Sequence, residues 1–278
     1  MKNFVSILAL FLAASVIPTS TTQTKWDNLR VKWSMRPTNE TFVVLPRRSR
    51  EAEKEGWTKV SECTSSTQWR GQRYVLNNDY AVVLLYDVNG FIAGIQSTVP
   101  KGGSYPPTTL RPPFVRDGNR WAITAYFVDP GYNHLYNRPH PTGNQQGTGT
   151  NLYFQNSTNP FSSVMIPRTE AGIERTSWIK GKCFWLMGLH YWHNMGLNSN
   201  CDKAFPAFVL YTDHKLRAFG WAFLANMTSP RFEPVPPTSY KYFIDPVPTC
   251  MNTRVMSSMH IFLTTENDMT CGPPQQGK

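Results

Sequence analysis

Two histidines in the stretch His190-Tyr191-Trp192-His193 are the side chains of this sequence best suited to hold a metal. Imidazole is the commonest metal ligand, and His214, Asp202 or His260 could complete a site for an exported oxygenase or hydrolase. Two histidines three positions apart share one face of a helix but lie on opposite faces of a strand. The preceding Phe184-Trp185-Leu186-Met187 is typical of a buried core. We therefore predict no metal site and no cofactor here.

Asp129 and Asp245 are a second candidate for catalysis, because each stands in a copy of the same pentapeptide. The copies are Tyr126-Phe127-Val128-Asp129-Pro130 and Tyr242-Phe243-Ile244-Asp245-Pro246. Two equivalent carboxylates that met across a pseudo-twofold axis could share one proton, as in aspartic proteases. Those proteases follow the aspartate with Thr or Ser and then Gly, whereas proline follows here and removes a backbone donor. We expect the pentapeptide to end a strand in each half, and we assign no catalytic residue.

Shorter matches in the same order indicate two repeat units, at about 57–135 and 178–250. Before the first pentapeptide stand Trp57-Thr58-Lys59 with Cys63, Gly71-Gln72-Arg73-Tyr74 and Val82-Val83-Leu84-Leu85-Tyr86; before the second stand Trp178-Ile179-Lys180 with Cys183, Gly188-Leu189-His190-Tyr191 and Phe208-Val209-Leu210-Tyr211. The spacings differ by several residues, as insertions in loops produce. We expect a loop-rich connector between the units, and a single β-rich domain over 57–278 that follows an N-terminal segment, 21–56.

Residues 1–20 have the pattern of a secretory signal peptide. Lys2 supplies a positive start, and the apolar stretch from Phe4 to Ile17 is too short to span a membrane. We place the cleavage near Ser20. No later stretch approaches the length of a membrane span, so the sequence predicts a secreted protein without one.

Three Asn-X-Ser/Thr triplets, at Asn39, Asn156 and Asn226, are predicted glycosylation acceptors on surface loops. They agree with export and would make the chain an extracellular glycoprotein.

Five cysteines in an exported chain imply disulfides with one thiol left over. Pairing between neighbours would join Cys183 to Cys201 and Cys250 to Cys271. The repeat suggests otherwise, because Cys250 lies five residues after Asp245 where the first unit has His134. On that register we predict Cys183 with Cys250 and Cys201 with Cys271, which leaves Cys63 outside the disulfides, either buried or available for an intermolecular bond.

Composition favours a β fold. Aromatic residues make up 13% of the chain, and 22 prolines and 18 glycines break it into short elements. We predict a mainly β fold of antiparallel, sandwich-like sheets built from two repeated units, with few short helices. Predicted hairpins cover 80–97 and 208–224, further strands cover 120–128, 151–155, 163–166, 240–244 and 255–265, and a short helix covers 50–55.

Net charge is +10, which suits an acidic glycan or an acidic extracellular protein as partner and leaves nucleic acid improbable outside the cell. Lys and Arg are dispersed, which favours a generally basic surface over a dedicated polyanion site. Trp69, Trp121, Trp192 and Trp221 could stack on sugar rings, although a sandwich needs most of its aromatic side chains in the core. We therefore expect a non-catalytic matrix protein or glycan- or protein-binding module. The alternative is a secreted metal-dependent enzyme or hydrolase built on His190 and His193 or on the Asp129–Asp245 pair.

Overall fold

The computed structural model describes residues 26–33, 42–63, 68–131, 147–185, 187–264 and Cys271. Two antiparallel sheets of eight strands each make up the fold, which confirms the predicted β class. The first sheet contains β3 (Trp57–Ser61), β4 (Gln72–Leu76), β5 (Asp79–Tyr86), β6 (Ile92–Pro100), β7 (Val115–Asp117), β8 (Arg120–Tyr126), β9 (Leu152–Gln155) and β10 (Ser163–Ile166). The second contains β1 (Arg30–Lys32), β2 (Phe42–Val44), β11 (Trp178–Phe184), β12 (Gly188–His193), β13 (Ala207–Thr212), β14 (Lys215–Phe223), β15 (Glu233–Val235) and β16 (Met256–Phe262).

The two short α-helices are α1 (Ser49–Lys54) and α2 (Glu170–Ile173). The first agrees with the helix predicted over 50–55. Gly56, shortly after its end, adopts the left-handed conformation with φ 85°, as is common after a helix. In the described residues no helix has the length and apolar character needed to cross a membrane. The predicted signal peptide, Asn39 and His134 lie outside the described residues.

Both sheets have the same strand order. The first runs β10-β9-β8-β6-β5-β4-β3 with β7 beside β8, and the second runs β2-β1-β16-β14-β13-β12-β11 with β15 beside β16. Strands β1 and β2 come from the start of the chain but complete the second sheet, while β9 and β10 complete the first. Each half thus begins with a strand pair that it gives to the sheet of the other half.

Cross-strand pairing shows which residues of the two halves hold equivalent positions. Gln96 pairs with Val83 and with Thr124 in the first sheet, and Gly220 pairs with Phe208 and with His260 in the second. Carried along the strands, this register also makes Arg73 equivalent to His190, Gln155 to Lys32, and Val115 to Glu233.

The same register reveals sequence matches that lie before Trp57. Asn28-Leu29 corresponds to Asn151-Leu152, and Leu45-Pro46-Arg47 corresponds to Ile166-Pro167-Arg168. The duplicated sequence therefore extends toward the N-terminus beyond the boundaries at 57 and 178.

The two pentapeptides are not structurally equivalent. Tyr126 ends β8 and pairs with Gly94 and Tyr153, a position that Phe262 holds in β16. Tyr242 instead closes a 3-10 helix, Pro237–Tyr242, that precedes β16. The predicted strand over 240–244 is therefore wrong. Pro237 begins this helix, since its fixed φ suits a first turn and it has no N–H to give to a sheet.

A single aromatic core joins the sheets. Phe154 of β9 lies 5.7 Å from Phe219 and 5.8 Å from Trp221, both on β14, measured between ring centroids. Phe127, just after β8, lies 6.2 Å from Phe219. All four side chains are at most 1% exposed, so the core binds the two halves into one sandwich.

Candidate functional site

Two loops distinguish the second half from the first. Strands β4 and β5 are joined by Asn77 and Asn78 alone, both at positive φ as a tight hairpin requires, and β7 and β8 by Gly118 and Asn119. The equivalent connections in the second half are the 194–206 loop and the 236–255 loop. Long loops on a rigid scaffold commonly carry function.

A disulfide, a backbone hydrogen bond and an ion pair fasten these loops to each other. Cys201 and Cys250 form a disulfide with a Cα–Cα distance of 5.9 Å. The Thr249 backbone N–H donates to the Leu197 carbonyl at 3.0 Å. Arg254 Nη1 pairs with Asp202 Oδ1 at 2.8 Å. A disulfide of this kind is typical of an oxidising compartment.

The second disulfide joins Cys183 to Cys271, so the predicted pairing of Cys183 with Cys250 and Cys201 with Cys271 is wrong. The four cysteines that we expected to be oxidised are those in the disulfides. We predicted these disulfide pairs on the assumption that the two pentapeptides are equivalent. Because the pentapeptides are not equivalent, the reason for that pairing no longer holds. Cys63 forms no disulfide, and burial raises the pKa of its thiol.

A pocket of about 290 Å³ lies beside the Cys201–Cys250 disulfide. We call it the disulfide pocket; it is lined by His193, Asn194, Met195, Ser199, Asn200, Cys201, Lys203, Ala204, Pro248, Cys250 and Met251. Its volume is at the lower end of the range for small-molecule sites. Every lining residue except His193, which ends β12, belongs to one of the two loops.

Asn200 and Lys203 supply hydrogen-bond donors to this pocket. The side-chain oxygen Oδ1 of Asn200 accepts from the Asp202 backbone N–H, which leaves the side-chain NH₂ of Asn200 to donate to a ligand. Lys203 and Asn194 are exposed at the same pocket, and no acidic side chain lines it. A ligand that presents acceptor oxygens or negative charge fits this set.

His193 contributes a neutral ring to the pocket. Its Nε2 lies 2.9 Å from Ser177 Oγ, and its ring centroid lies 5.4 Å from that of Trp178. Burial lowers its pKa, so the ring stays uncharged at neutral pH. Of the histidines singled out in the sequence, His193 is the one that lines the disulfide pocket.

The other predicted metal ligands lie elsewhere. His190 is on the opposite face of β12 from His193, with its ring centroid 6.2 Å from that of His260. His214 pairs with Glu170 at 2.6 Å, and Asp202 pairs with Arg254. Within the described part of the chain, no three His, Cys, Asp or Glu side chains are grouped closely enough to hold a metal.

Asp129 and Asp245 each have a local partner. Asp129 Oδ1 accepts from the Gly131 backbone N–H at 2.8 Å, as an aspartate in a turn does. Asp245 lies 3.6 Å from Lys182 Nζ. Since the pentapeptides are not equivalent, no twofold relationship brings the two carboxylates together. The Asp129–Asp245 hypothesis for a hydrolase loses its structural basis.

A second, smaller cavity lies under the 236–255 loop on the outer face of the second sheet. This Glu233 cavity encloses about 20 Å³, room for a single water molecule, and is lined by Phe184, Met187, His190, Trp192, Phe208, Glu233, Val235, Phe243, Met256, Ser258 and His260. Glu233 is 5% exposed, and neither of its carboxylate oxygens has a hydrogen-bond partner among the described residues. Burial raises its pKa to about 7.

The equivalent positions of the first sheet hold a closed polar network. Arg73 Nε donates to Gln96 Oε1 at 2.8 Å, and Gln96 Nε2 donates to Thr124 Oγ1 at 2.8 Å. The Arg73 guanidinium also makes two hydrogen bonds to the Asp117 carboxylate, at 3.2 and 2.5 Å. The second half lacks this hydrogen-bond network and has the Glu233 cavity in its place.

Of the four tryptophans considered as sugar platforms, three are buried and Trp121 is partly buried. Trp221 and Trp192 are 0% and 2% exposed, and Trp69 is 8% exposed with the Arg73 guanidinium carbon 4.3 Å from its ring centroid. Arg111 covers Trp121 in the same way at 4.5 Å. Asn156 and Asn226 are exposed, as glycosylation acceptors must be.

Sequence reasoning missed Asn194, Asn200, Lys203 and Glu233. A signal for the first three existed, because Tyr74 and Val83 are much closer in sequence than their counterparts Tyr191 and Phe208. An insertion in only one copy of a repeat marks a segment that the scaffold does not require. Glu233 carries no such signal, since its burial depends on the tertiary fold.

The fold and its disulfides define a duplicated, disulfide-bonded β-sandwich with exchanged strand pairs. Comparison with protein-family models, curated proteins and solved structures finds no match to this chain.

Proposed function

We propose that this protein is a secreted, glycosylated, non-catalytic module that binds acidic glycans in the disulfide pocket. One observation carries the proposal: the pocket is built almost entirely from two long loops that the first half lacks, and its lining includes the exposed Lys203 but no acidic side chain. Export would remove the signal peptide, and Asn39, Asn156 and Asn226 would carry glycans.

The chemistry of the pocket supports an acidic sugar. A carboxylate or sulfate would accept charge-assisted hydrogen bonds from Lys203, which are about twice as strong as neutral ones. Sugar hydroxyls would pair with the amides of Asn194 and Asn200, while Met195 and Met251 would contact the apolar face of the ring. The net positive charge of the chain would increase the association rate with such a polyanion.

Binding to a glycan array followed by calorimetry with the best sulfated or uronic-acid disaccharide tests the proposal. We expect saturable binding that Lys203→Ala weakens at least tenfold. Lys101→Ala removes the same charge from an exposed site outside the pocket and should change the affinity less than twofold.

Equal losses of glycan affinity in the two variants would show that the glycan is attracted by the general surface charge. That result would contradict a dedicated site. Absence of glycan binding, with capture of a defined extracellular protein instead, would favour a protein-binding module.

A further inference from the structure

The Glu233 cavity lies under the loop that forms one wall of the disulfide pocket. Glu233 is on β15, directly before the 236–255 loop, and Phe243 of that loop covers the cavity. The Phe243 carbonyl accepts hydrogen bonds from Trp192 Nε1 at 3.1 Å and from the Lys182 backbone N–H at 3.2 Å. Pro248 and Met251, farther along the same loop, line the disulfide pocket.

Four polar side chains on three strands face or influence Glu233. His260 and Ser258 come from β16 and His190 from β12, and Lys32 on β1 attracts the carboxylate electrostatically. Burial lowers the pKa of His190 to about 4 and that of His260 well below its usual range. Both rings are therefore neutral between pH 5 and 8. Compared with the two histidines, Glu233 is the group whose charge changes near neutrality.

Burial dominates the behaviour of Glu233. Attraction to Lys32 lowers its pKa, but desolvation is the larger effect and raises it to about 7. The neighbouring aromatic rings of Trp192, Phe208 and Phe243 offer the carboxylate no hydrogen bond. An ionised carboxylate in such a site is costly unless water reaches it.

We propose that ionisation of Glu233 opens the 236–255 loop and thereby weakens ligand binding in the disulfide pocket. Opening admits water to the carboxylate and separates Phe243 from the strands beneath it. Pro248 and Met251 belong to the same loop and flank Cys250, which the disulfide holds to the 194–206 loop, so opening distorts this wall of the pocket. The effect on a ligand rests on the proposed glycan function, whereas the loop motion does not.

The expected size follows from proton linkage. If Glu233 has its ordinary pKa in the open state and a pKa of about 7 in the closed state, the open-to-closed ratio rises about tenfold between pH 6 and pH 8. Binding is then tighter at pH 6 than at pH 8, by up to about tenfold where the open form is populated.

Hydrogen exchange of the ligand-free protein tests the loop motion. After correction for intrinsic exchange rates, opening of peptides from 237–251 should rise about tenfold from pH 6 to pH 8, relative to the buried strand β5. In Glu233→Gln, which cannot ionise, the rise should be absent. An equal pH dependence in both proteins would overturn the proposal. A carboxyl titration of Glu233 by carbon-13 NMR in the unaltered protein gives an independent check, and a midpoint near 4.5 would also overturn it.

Calorimetry with a sulfated disaccharide separates this inference from the proposed function, because sulfate does not titrate in this range. We expect up to tenfold weaker binding at pH 8 than at pH 6, and pH-independent binding in Glu233→Gln. Unchanged affinity together with unchanged exchange would reject the loop mechanism and leave the glycan site standing. Absence of binding at either pH would reject the glycan site, while the exchange result still decides the loop motion.

Discussion

Tyr86 and Tyr211 make the same hydrogen bond in the two halves of the protein. Tyr86 donates its hydroxyl proton to the Pro46 carbonyl at 2.7 Å, and Tyr211 donates to the Pro167 carbonyl at 2.5 Å. Both tyrosines are at most 1% exposed. Each therefore fixes the end of an exchanged strand pair to the body of the sandwich.

Replacement of either tyrosine with phenylalanine should destabilise the fold to a similar degree. Loss of the hydroxyl leaves a proline carbonyl without its donor, at a cost of about 1 to 3 kcal/mol. Urea unfolding with intact disulfides measures the change. Tyr242→Phe, at a 52% exposed position, should cost less than about 0.5 kcal/mol. A large difference between Tyr86→Phe and Tyr211→Phe would contradict the equivalence.

Glu233→Gln should remove a pH-dependent penalty on stability. In the folded state the pKa of Glu233 is raised from 4.5 to about 7, so the folded chain holds this proton more tightly than the unfolded chain. Stability then falls as the pH rises from 4.5 to 7, by about 1.4 kcal/mol per pH unit and by about 3 kcal/mol in total.

The difference in unfolding free energy between the two proteins, measured by urea at several pH values, isolates this contribution. We expect the variant to gain relative to the original protein up to about pH 7 and then to level off. A constant difference across the whole range would contradict a raised pKa at Glu233.

Removal of the Cys201–Cys250 disulfide should damage the disulfide pocket more than the sheets. The cysteines are 49 positions apart, which corresponds to about 4 kcal/mol of chain entropy. The double variant Cys201→Ala with Cys250→Ala should lose glycan binding but keep its far-ultraviolet circular dichroism at 25 °C.

Peptide mapping without reduction provides the matching covalent test. It should recover Cys201 joined to Cys250, Cys183 joined to Cys271, and a slowly alkylated thiol at Cys63, because burial raises the pKa of that thiol. Recovery of Cys183 joined to Cys250 would contradict the structure.

The exchanged strand pairs predict that the two halves depend on each other. Fragments 1–139 and 140–278, produced together, should associate, since each supplies strands to the sheet of the other. Phe154→Asp should prevent association because the side chain is 1% exposed and packs on Phe219 and Trp221. Phe161→Asp, at a 57% exposed position after the same strand, is the matched control. Separate, monomeric, folded fragments would argue against the exchange.

The local sequence pattern was sufficient to predict the hairpins. Alternating apolar residues and turn residues located β5, β6, β13 and β14 as hairpins. The same reasoning failed at Tyr242, where a matching pentapeptide adopts a 3-10 helix. Five matching residues cannot outweigh the prolines before them and the Tyr240 hydroxyl, which donates to the Val235 and Arg254 carbonyls.

The candidate site shows the same division. The sequence marked His193 as a possible metal ligand and the four cysteines as disulfide formers. Their partners are set by contacts between distant loops. Cys201 meets Cys250 because two insertions of one half lie side by side, and spacing along the chain does not encode that proximity. The buried setting of Glu233 likewise arises only when β15 packs beside β16 under the 236–255 loop.

The sequence alone determined the β class, the existence of a duplication and the positions of most hairpins, because these follow from local periodicity and turn chemistry. Tertiary structure decided which sheet receives each strand pair, which cysteines join, and which histidine faces the disulfide pocket. Those outcomes depend on long-range packing: β1 completes the second sheet because β16 offers it a paired edge and the shared aromatic core offers it a buried face.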